Sequence, residues 1–248
     1  MSEKIELINA DCLPILRQMD AESVDCIITD PPYGVEFQKN SLFNDSLDLV
    51  KENRDLWLSE MARVLKNSCH CYIYIPTKGA GEWLVAIEKH FTIYNILSGR
   101  TYTSSVYLKN NFQFNNQLIV YAAKGKAKRL NQVDFIKTSK SWLNDKRNQN
   151  PHEYTYSYPA FLWQEETKIF ANTKTTSANK DRHPCEKNPS LIEFFIKLSS
   201  NEGDTVLDPF MGGGSTGIAA VSANRNFIGI ELSEQYYALA AGRIKSNE

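Results

Sequence analysis

The chain has 248 residues, of which 42% are apolar and 23% are charged, as in globular proteins that bury a sizeable core. No apolar run approaches the ~18 residues that cross a bilayer, and the first residues lack the layout of a signal peptide. We therefore exclude a membrane protein and expect a cytoplasmic chain of one domain with, at most, a small insert.

The formal net charge of −1 hides an uneven distribution. Residues 100–187 contain fifteen Lys or Arg and seven Asp or Glu, which gives this segment a net charge of +8. The remaining residues carry a net charge of −9. A basic segment in a neutral chain can bind a polyanion, although a solvated lysine-rich surface would produce the same counts.

Five cysteines occur in the sequence, an odd number that argues against a disulfide framework. Four of them lie in or beside apolar runs, which predicts buried and reduced thiols. The triplet Cys69-His70-Cys71 resembles a metal-binding cluster, but its residues lie on one predicted strand and have no second ligand pair nearby. We interpret the triplet as part of the core.

In the first half of the chain, short apolar runs alternate with helical patterns, which predicts a parallel sheet covered by helices. Residues 34–46 have no periodicity and predict a mobile loop. The predicted strands are residues 5–8, 24–29, 71–75 and 92–97, with an antiparallel strand at 117–122, and the predicted helices are residues 13–19, 47–66 and 79–90.

Residues 124–182 are rich in Lys, Asn, Thr and aromatic side chains and show no clear period. So long an irregular stretch is improbable in a compact domain, so we interpret it as a small insert that orders on a partner. Regular patterns return after residue 183 and predict a helix at 190–198, a strand at 205–210, a turn at 211–217, a helix at 218–223, a strand at 226–232 and a helix from 233.

A glycine-rich turn follows the strand that ends near Asp208. Glycines 212, 214 and 217 match the pattern G-x-G-x-x-G between a strand and a helix, where a ligand can lie against the backbone. The next strand ends in Glu231, whose carboxylate can accept hydrogen bonds from the ribose hydroxyls of an adenosine. These residues predict an adenosine-containing cofactor and leave NAD, FAD and S-adenosylmethionine open.

A second motif, Asp30-Pro31-Pro32-Tyr33, follows the buried strand at 24–29. The two prolines remove amide donors, so the loop presents acceptors, namely the Asp30 carboxylate and the Pro31 carbonyl. Two acceptors that hold both hydrogens of a nucleobase amine would free its lone pair to attack an electrophilic methyl group. Tyr33 could stack on a base that has been taken out of the duplex.

With DPPY at 30–33 placed before DPFMGGGSTG at 208–217, the sequence resembles the amino-methylating DNA methyltransferases of permuted motif order, the beta class. The resemblance extends over most of the chain and implies a doubly wound, mostly parallel α/β sheet with S-adenosylmethionine as cofactor. It implies catalytic roles for Asp30, Pro31, Pro32 and Tyr33. The implied cofactor-binding residues are Asp11, Lys187, Asp208, Phe210, Gly212, Gly214, Thr216 and Glu231.

The resemblance also divides the chain into a catalytic domain, residues 1–123 and 183–248, and a target-recognition insert, residues 124–182. The aspartate of DPPY favours adenine N6 as the methylated atom. Two alternatives keep the reaction but change the methylated base, to cytosine at N4 or to a base of RNA. Two others change the function, to a nicotinamide oxidoreductase or to an idle DNA-binding subunit. DNA is the implied partner, with a homodimer and a cognate restriction endonuclease as further expectations and no membrane partner.

Overall fold

The computed structural model describes residues 4–34, 46–100, 116–131, 161–162, 187 and 189–247. The helices in these residues are α1 (Cys12–Gln18), α2 (Leu47–Val64), α3 (Ala80–Glu88), α4 (Pro189–Ser199), α5 (Ser215–Ser222) and α6 (Glu234–Lys245). The strands are β1 (Ile5–Asn9), β2 (Val24–Thr29), β3 (Leu65–Ile75), β4 (Thr92–Arg100), β5 (Asn116–Ala123), β6 (Phe161–Leu162), β7 (Thr205–Asp208) and β8 (Asn226–Glu231).

The described strands form one sheet in the order β1-β8-β7-β2-β3-β5-β4-β6. Strand β5 runs antiparallel to both of its neighbours, β3 and β4. The other pairings between described strands are parallel. The sheet confirms the predicted fold class, and its antiparallel strand contains the residues expected to form it.

Strand β2 lies in the interior of the sheet, and all six of its residues are buried. A parallel strand covered on both faces needs a continuous apolar run, and the sequence VDCIIT largely supplies one. Ile27 packs in the layer formed by α1, α2 and α3. Cys26 and Ile28 point to the opposite layer, which contains α4, α5 and α6. Helices therefore cover both faces of the sheet.

The junction between α2 and β3 differs from the prediction. We expected a helix to residue 66 and a strand over 71–75, but the helix ends at Val64 and the strand begins at Leu65. Leu65 already pairs with Val24 of β2, and the Lys66 ammonium lies 2.7 Å from a carboxylate oxygen of Asp25. Pairing with β2 therefore places polar residues such as Lys66 in β3, although their local sequence pattern does not predict a strand.

Helix α5 begins three residues earlier than predicted. Gly214 has a φ of +82° and occupies the N-cap position, so Ser215 starts the helix and the expected turn at 211–217 is shorter. The φ of Gly214 turns the chain into the helix at once, which the glycine pattern alone did not indicate. Strands β4 and β5 extend beyond the predicted ranges of 92–97 and 117–122 because they pair with each other from Thr92–Ala123 to Arg100–Asn116.

Within the predicted insert, the structure describes residues 124–131 and 161–162. Residues 161–162 form β6, which pairs in parallel with β4 at the edge of the sheet. We had predicted no strand there, since two residues have no periodicity and only their pairing with β4 makes them a strand. Residues 132–160 and 163–186 lie outside the described residues, as do residues 35–45 of the predicted mobile loop.

The cysteines confirm the prediction of buried, reduced thiols as far as the structure describes them. Cys12, Cys26, Cys69 and Cys71 are buried and free, and burial raises the pKa of three of these thiols, those of Cys12, Cys26 and Cys71. Cys185 lies outside the described residues. Among the described residues no group of His, Cys, Asp and Glu has the arrangement of a metal site, and none of the helices is long and apolar enough to span a membrane.

Candidate active site

The two sequence motifs lie at the carboxyl ends of neighbouring strands. The chain leaves β2 toward β3 on one side and leaves β7 toward β8 on the other, although β2 and β7 are hydrogen-bonded neighbours. Ligands of open α/β sheets bind at such a reversal, outside the carboxyl ends of the strands. Asp30 follows β2 and Asp208 ends β7, so the acceptor loop and the glycine turn start at this switch point.

Asp208 is a buried carboxylate whose oxygens are bound by groups of the protein. Thr29 Oγ1 and the backbone N–H of Phe210 donate to Oδ1 at 2.8 and 3.1 Å, and Thr216 Oγ1 donates to Oδ2 at 2.7 Å. Burial raises the pKa of Asp208 to about 6, and these hydrogen bonds limit the rise. Asp208 therefore connects the two ends of the glycine turn, the backbone of Phe210 and the side chain of Thr216 in α5.

Glycine is required at two positions of the turn, by backbone conformation at Gly212 and by both conformation and a close contact at Gly214. Gly212 has a φ of +51°, in the left-handed region that favours glycine. Gly214 has a φ of +82°, and a Cβ at this position would lie 2.9 Å from Cβ of Ala240 in α6. Gly214 therefore allows α6 to approach the turn closely. The Arg243 side chain of the same helix donates to the carbonyl of Gly213.

Glu231, at the end of β8, is tied to the turn. Its Oε2 accepts the backbone N–H of Gly212 at 2.8 Å, and its Oε1 accepts the N–H of Ser233 at 2.8 Å. Burial raises the pKa of this carboxyl, and backbone N–H donors, those of Ser233, Gly212 and Leu232, oppose the rise. Carboxylate oxygens carry more than one lone pair, so Glu231 can accept further hydrogen bonds from two neighbouring hydroxyls. The following residue, Leu232, is exposed and offers an apolar surface beside the carboxylate.

Asp11 lies next to this carboxylate edge, because Asn9 of β1 pairs with Glu231 and the N–H of Ala10 donates to the Glu231 carbonyl at 3.1 Å. Asp11 is the N-cap of α1, and its Oδ1 accepts the N–H of Leu13 at 2.8 Å. The side chain therefore fixes the start of α1 at the rim of the predicted cofactor site.

The acceptor loop begins at Asp30, which is partly buried, and continues through buried Pro31. The Tyr33 hydroxyl donates to Oδ1 of Asp30. The Tyr33 ring meets the Trp83 ring edge to face, with centroids 6.3 Å apart. Gly34 closes the loop with a φ of +74°, and a Cβ there would lie 2.7 Å from Cα of Leu47. The loop is thus packed against both α3 and the start of α2.

Lys187 contacts the acceptor loop. Its ammonium nitrogen lies 2.5 Å from Oδ2 of Asp30 and 5.1 Å from the centroid of the Tyr74 ring. The family resemblance implies that Lys187 binds the cofactor, and this role stays a prediction. The structure places its ammonium at the carboxylate of Asp30.

Some residues that support the site were missed by the sequence analysis. Thr29 and Tyr74 belonged to predicted buried strands, and Trp57 to the apolar positions of the predicted helix 47–66. Trp83 lay within the predicted helix 79–90, with no role assigned. Trp57 packs edge to face on Phe210 of the glycine turn, with ring centroids 5.0 Å apart. Only Thr29 carried a signal, a hydroxyl at the end of an apolar strand directly before Asp30.

The arrangement combines two groups of residues at one edge of the sheet. Glu231, Gly212 and Asp11 line the side that suits an adenosine. Asp30 and the Pro31 carbonyl belong to the neighbouring loop that presents acceptors. Two adjacent sites of this kind can hold an adenosine-containing donor of a chemical group beside the amine that receives the group.

Comparison with known proteins gives the same result. Residues 24–242 match the family model described as DNA methylase, for N6 and N4 methyltransferases. The DNA adenine methyltransferase YhdJ of Escherichia coli strain K12 is 31% identical, over 98% of this chain and 83% of that protein. The Type II methyltransferase M.HpaI of Haemophilus parainfluenzae is 29% identical, over 97% of this chain and 74% of that protein.

The fold also resembles solved structures. The crystal structure of the M1.HpyAVI–SAM complex matches with a TM-score of 0.66 and 23% identity, and the match covers 97% of this chain and 98% of that one. This similarity confirms the α/β fold class. Because the family model covers most of the sequence, the chain belongs to the N6 and N4 DNA methylase family and is a DNA methyltransferase, as the family resemblance implied.

Proposed function

We propose that this protein transfers a methyl group from S-adenosylmethionine to N6 of adenine at a specific DNA sequence. The observation that carries the proposal is the position of Asp30, the amine acceptor, one strand away from the glycine turn that begins at Asp208. The name of YhdJ, a DNA adenine methyltransferase, supports the choice of adenine.

S-adenosylmethionine supplies an electrophilic methyl group on a sulfonium. Glu231 is suited to bind its ribose hydroxyls, because the carboxylate is fixed by Gly212 and Ser233 and keeps further lone pairs. Leu232 offers an apolar surface beside that carboxylate for a purine ring. Asp11 at the start of α1 adds a carboxylate to the same edge.

The acceptor loop prepares the target amine. The Asp30 carboxylate and the Pro31 carbonyl would each accept one hydrogen of the amine, which pulls its lone pair out of conjugation with the ring. The target base must leave the stack to reach this loop, and the Tyr33 ring provides a surface on which it could stack. Trp83 supports Tyr33 from behind through their edge-to-face contact.

The basic segment supplies the proposed DNA contacts. The net charge of +8 over residues 100–187 suits neutralisation of phosphates, and Asn, Gln and Arg side chains within it can read base edges. We place target recognition in residues 124–182. The relative M.HpaI is named a Type II methyltransferase, and we extend this to a restriction–modification role with a cognate endonuclease, with a homodimer as the assembly.

A labelled transfer assay tests the proposal. Purified protein is incubated with S-adenosylmethionine carrying an isotopic methyl group and with unmethylated genomic DNA or RNA, and the nucleosides are identified by mass spectrometry. We expect labelled N6-methyladenine from DNA. Asp30→Ala should reduce transfer by at least a hundredfold and leave cofactor binding unchanged, because the glycine turn is intact. Label in N4-methylcytosine or in RNA would replace the proposed acceptor.

A further inference from the structure

Lys187 and Asp30 form a charge pair inside the site. The Nζ to Oδ2 distance is 2.5 Å, and the two side chains are only 13% and 24% exposed. The same ammonium lies over the ring of Tyr74, so a carboxylate and an aromatic face hold it together. The Tyr33 hydroxyl donates to the other oxygen of Asp30. Each carboxylate oxygen therefore has a protein partner among the described residues.

The groups that hold Lys187 are part of the rigid core. Tyr74 is a buried residue of β3, whose pairing with β2 puts it beside the acceptor loop. Lys187 lies two residues before α4, which is anchored where Phe195 stacks on Tyr72 at 4.4 Å between ring centroids. The helix that starts two residues after Lys187 is thus packed on β3, the strand that carries Tyr74.

We infer that Lys187 is a positioning residue for Asp30, rather than a ligand of the cofactor. The inference deepens the proposed base methylation and rests on it. A lone carboxylate can rotate about its Cβ–Cγ bond and present either oxygen, whereas a charge-assisted hydrogen bond to Oδ2 fixes one orientation. With that orientation fixed, the lone pairs that face the target amine stay aligned through the reaction.

The methyl transfer balances in atoms and electrons without any proton or electron pair from Lys187. The amine nitrogen forms the new bond to the methyl carbon with its own lone pair, and the electron pair of the broken carbon–sulfur bond stays on sulfur. The nitrogen then carries a positive charge and loses one proton through Asp30 to solvent. Lys187 takes part in none of these bond changes and only holds the carboxylate that receives the amine proton.

The test separates this role from binding of the cofactor. Lys187→Met removes the charge, Lys187→Arg keeps it, and Lys197→Met is a matched control that removes a lysine–carboxylate contact of 2.5 Å, that with Glu193 in α4. For each variant, calorimetry gives the Kd for S-adenosylmethionine, and steady-state transfer gives kcat and the KM for DNA. Circular dichroism verifies that each variant is folded.

We expect Lys187→Met to lower kcat at least tenfold with the cofactor Kd within twofold of wild type, and Lys187→Arg to recover a large part of kcat. Lys197→Met should match wild type in both. A weakened cofactor Kd with unchanged kcat in Lys187→Met would overturn the inference and leave the proposed function standing. If Lys187→Met does not fold, the same comparison in Lys187→Arg and Lys187→Gln decides. A wild-type protein without transfer activity would overturn both proposals.

Discussion

The Thr29 hydroxyl donates a 2.8 Å hydrogen bond to Oδ1 of Asp208, and this contact joins the strand before the acceptor loop to the strand before the glycine turn. Both residues are almost fully buried. Asp30 follows Thr29 directly, so the acceptor carboxylate and the glycine turn are placed by one rigid pair of strands. A methyl donor and its acceptor need such a fixed relation, because small displacements of reacting groups cost large factors in rate.

Thr29→Val removes this hydrogen bond and keeps the shape of the side chain. We expect a loss of about 1–3 kcal/mol in the free energy of unfolding, since the buried Asp208 carboxylate loses one of its donors. Urea denaturation measures the loss. Thr92→Val, at an exposed position of β4, is the matched control and should stay within about 0.5 kcal/mol of wild type. Equal stability of the two variants would contradict the role given to the contact.

Asp208→Asn should change how stability depends on pH. Burial raises the pKa of Asp208 to about 6, so the folded protein holds this proton more tightly than the unfolded chain does. Ionisation of Asp208 therefore costs stability as the pH rises from about 4 to about 6. The variant lacks this cost, and its stability relative to wild type should rise by roughly 3 kcal/mol over that range. Denaturation curves at several pH values test this, and a constant difference would refute it.

His70 should make stability depend on pH in the opposite direction. Burial lowers the pKa of His70 to about 4, and its Nδ1 lies 3.0 Å from the Tyr121 hydroxyl. In the unfolded chain His70 binds a proton below about pH 6.5, whereas in the folded protein it does so only below about pH 4. The protein therefore loses stability as the pH falls through that range. His70→Gln should remove that loss. The same denaturation series measures it, with the difference from wild type expected to shrink as the pH falls.

The sequence analysis found both motif loops of the candidate site because each one is a local pattern. The glycine pattern and the DPPY loop follow apolar strands directly, and the apolar strands themselves predicted the parallel sheet. Two long-range contacts had no such pattern. The start of β3 at Leu65 depends on pairing with Val24, and the contact of Lys187 with Asp30 joins residues that are far apart in the chain.

Gly214→Ala tests the close approach of α6 to the glycine turn. The variant combines an unfavourable φ of +82° with a Cβ placed 2.9 Å from Cβ of Ala240. Gly79→Ala is a matched control, since Gly79 has the same φ of +82° and its Cβ would meet no atom within 4 Å among the described residues. The control should lose about 1–2 kcal/mol from the backbone alone, and Gly214→Ala should lose roughly 1–3 kcal/mol more.

Adding Ala240→Gly to Gly214→Ala should restore the part of the loss that comes from contact with α6, because it removes the opposing methyl group. Thermal or urea unfolding of the two single variants and the double variant measures this coupling. Purely additive losses would show that α6 does not limit the size of residue 214.

Glu231→Gln tests the carboxylate at the edge of the proposed adenosine site. Glutamine has one acceptor oxygen, so it cannot accept both the Gly212 and the Ser233 N–H and also bind ribose hydroxyls. We expect the Kd for S-adenosylmethionine to rise about ten- to a hundredfold, in line with about 1.5–3 kcal/mol for hydrogen bonds to a charged group. Glu234→Gln, an exposed position in the first turn of α6, should leave the Kd unchanged.

The pH dependence of binding gives Glu231 a second test. Burial raises the pKa of this carboxyl, so it takes up a proton at a higher pH than an exposed glutamate does. The wild-type affinity should therefore fall with decreasing pH toward that of Glu231→Gln, because a protonated carboxyl has lost the charge that favours the ribose hydroxyls. Calorimetric titrations of both proteins across the acid range measure this convergence. Parallel curves for wild type and variant would exclude Glu231 as the group that binds the ribose.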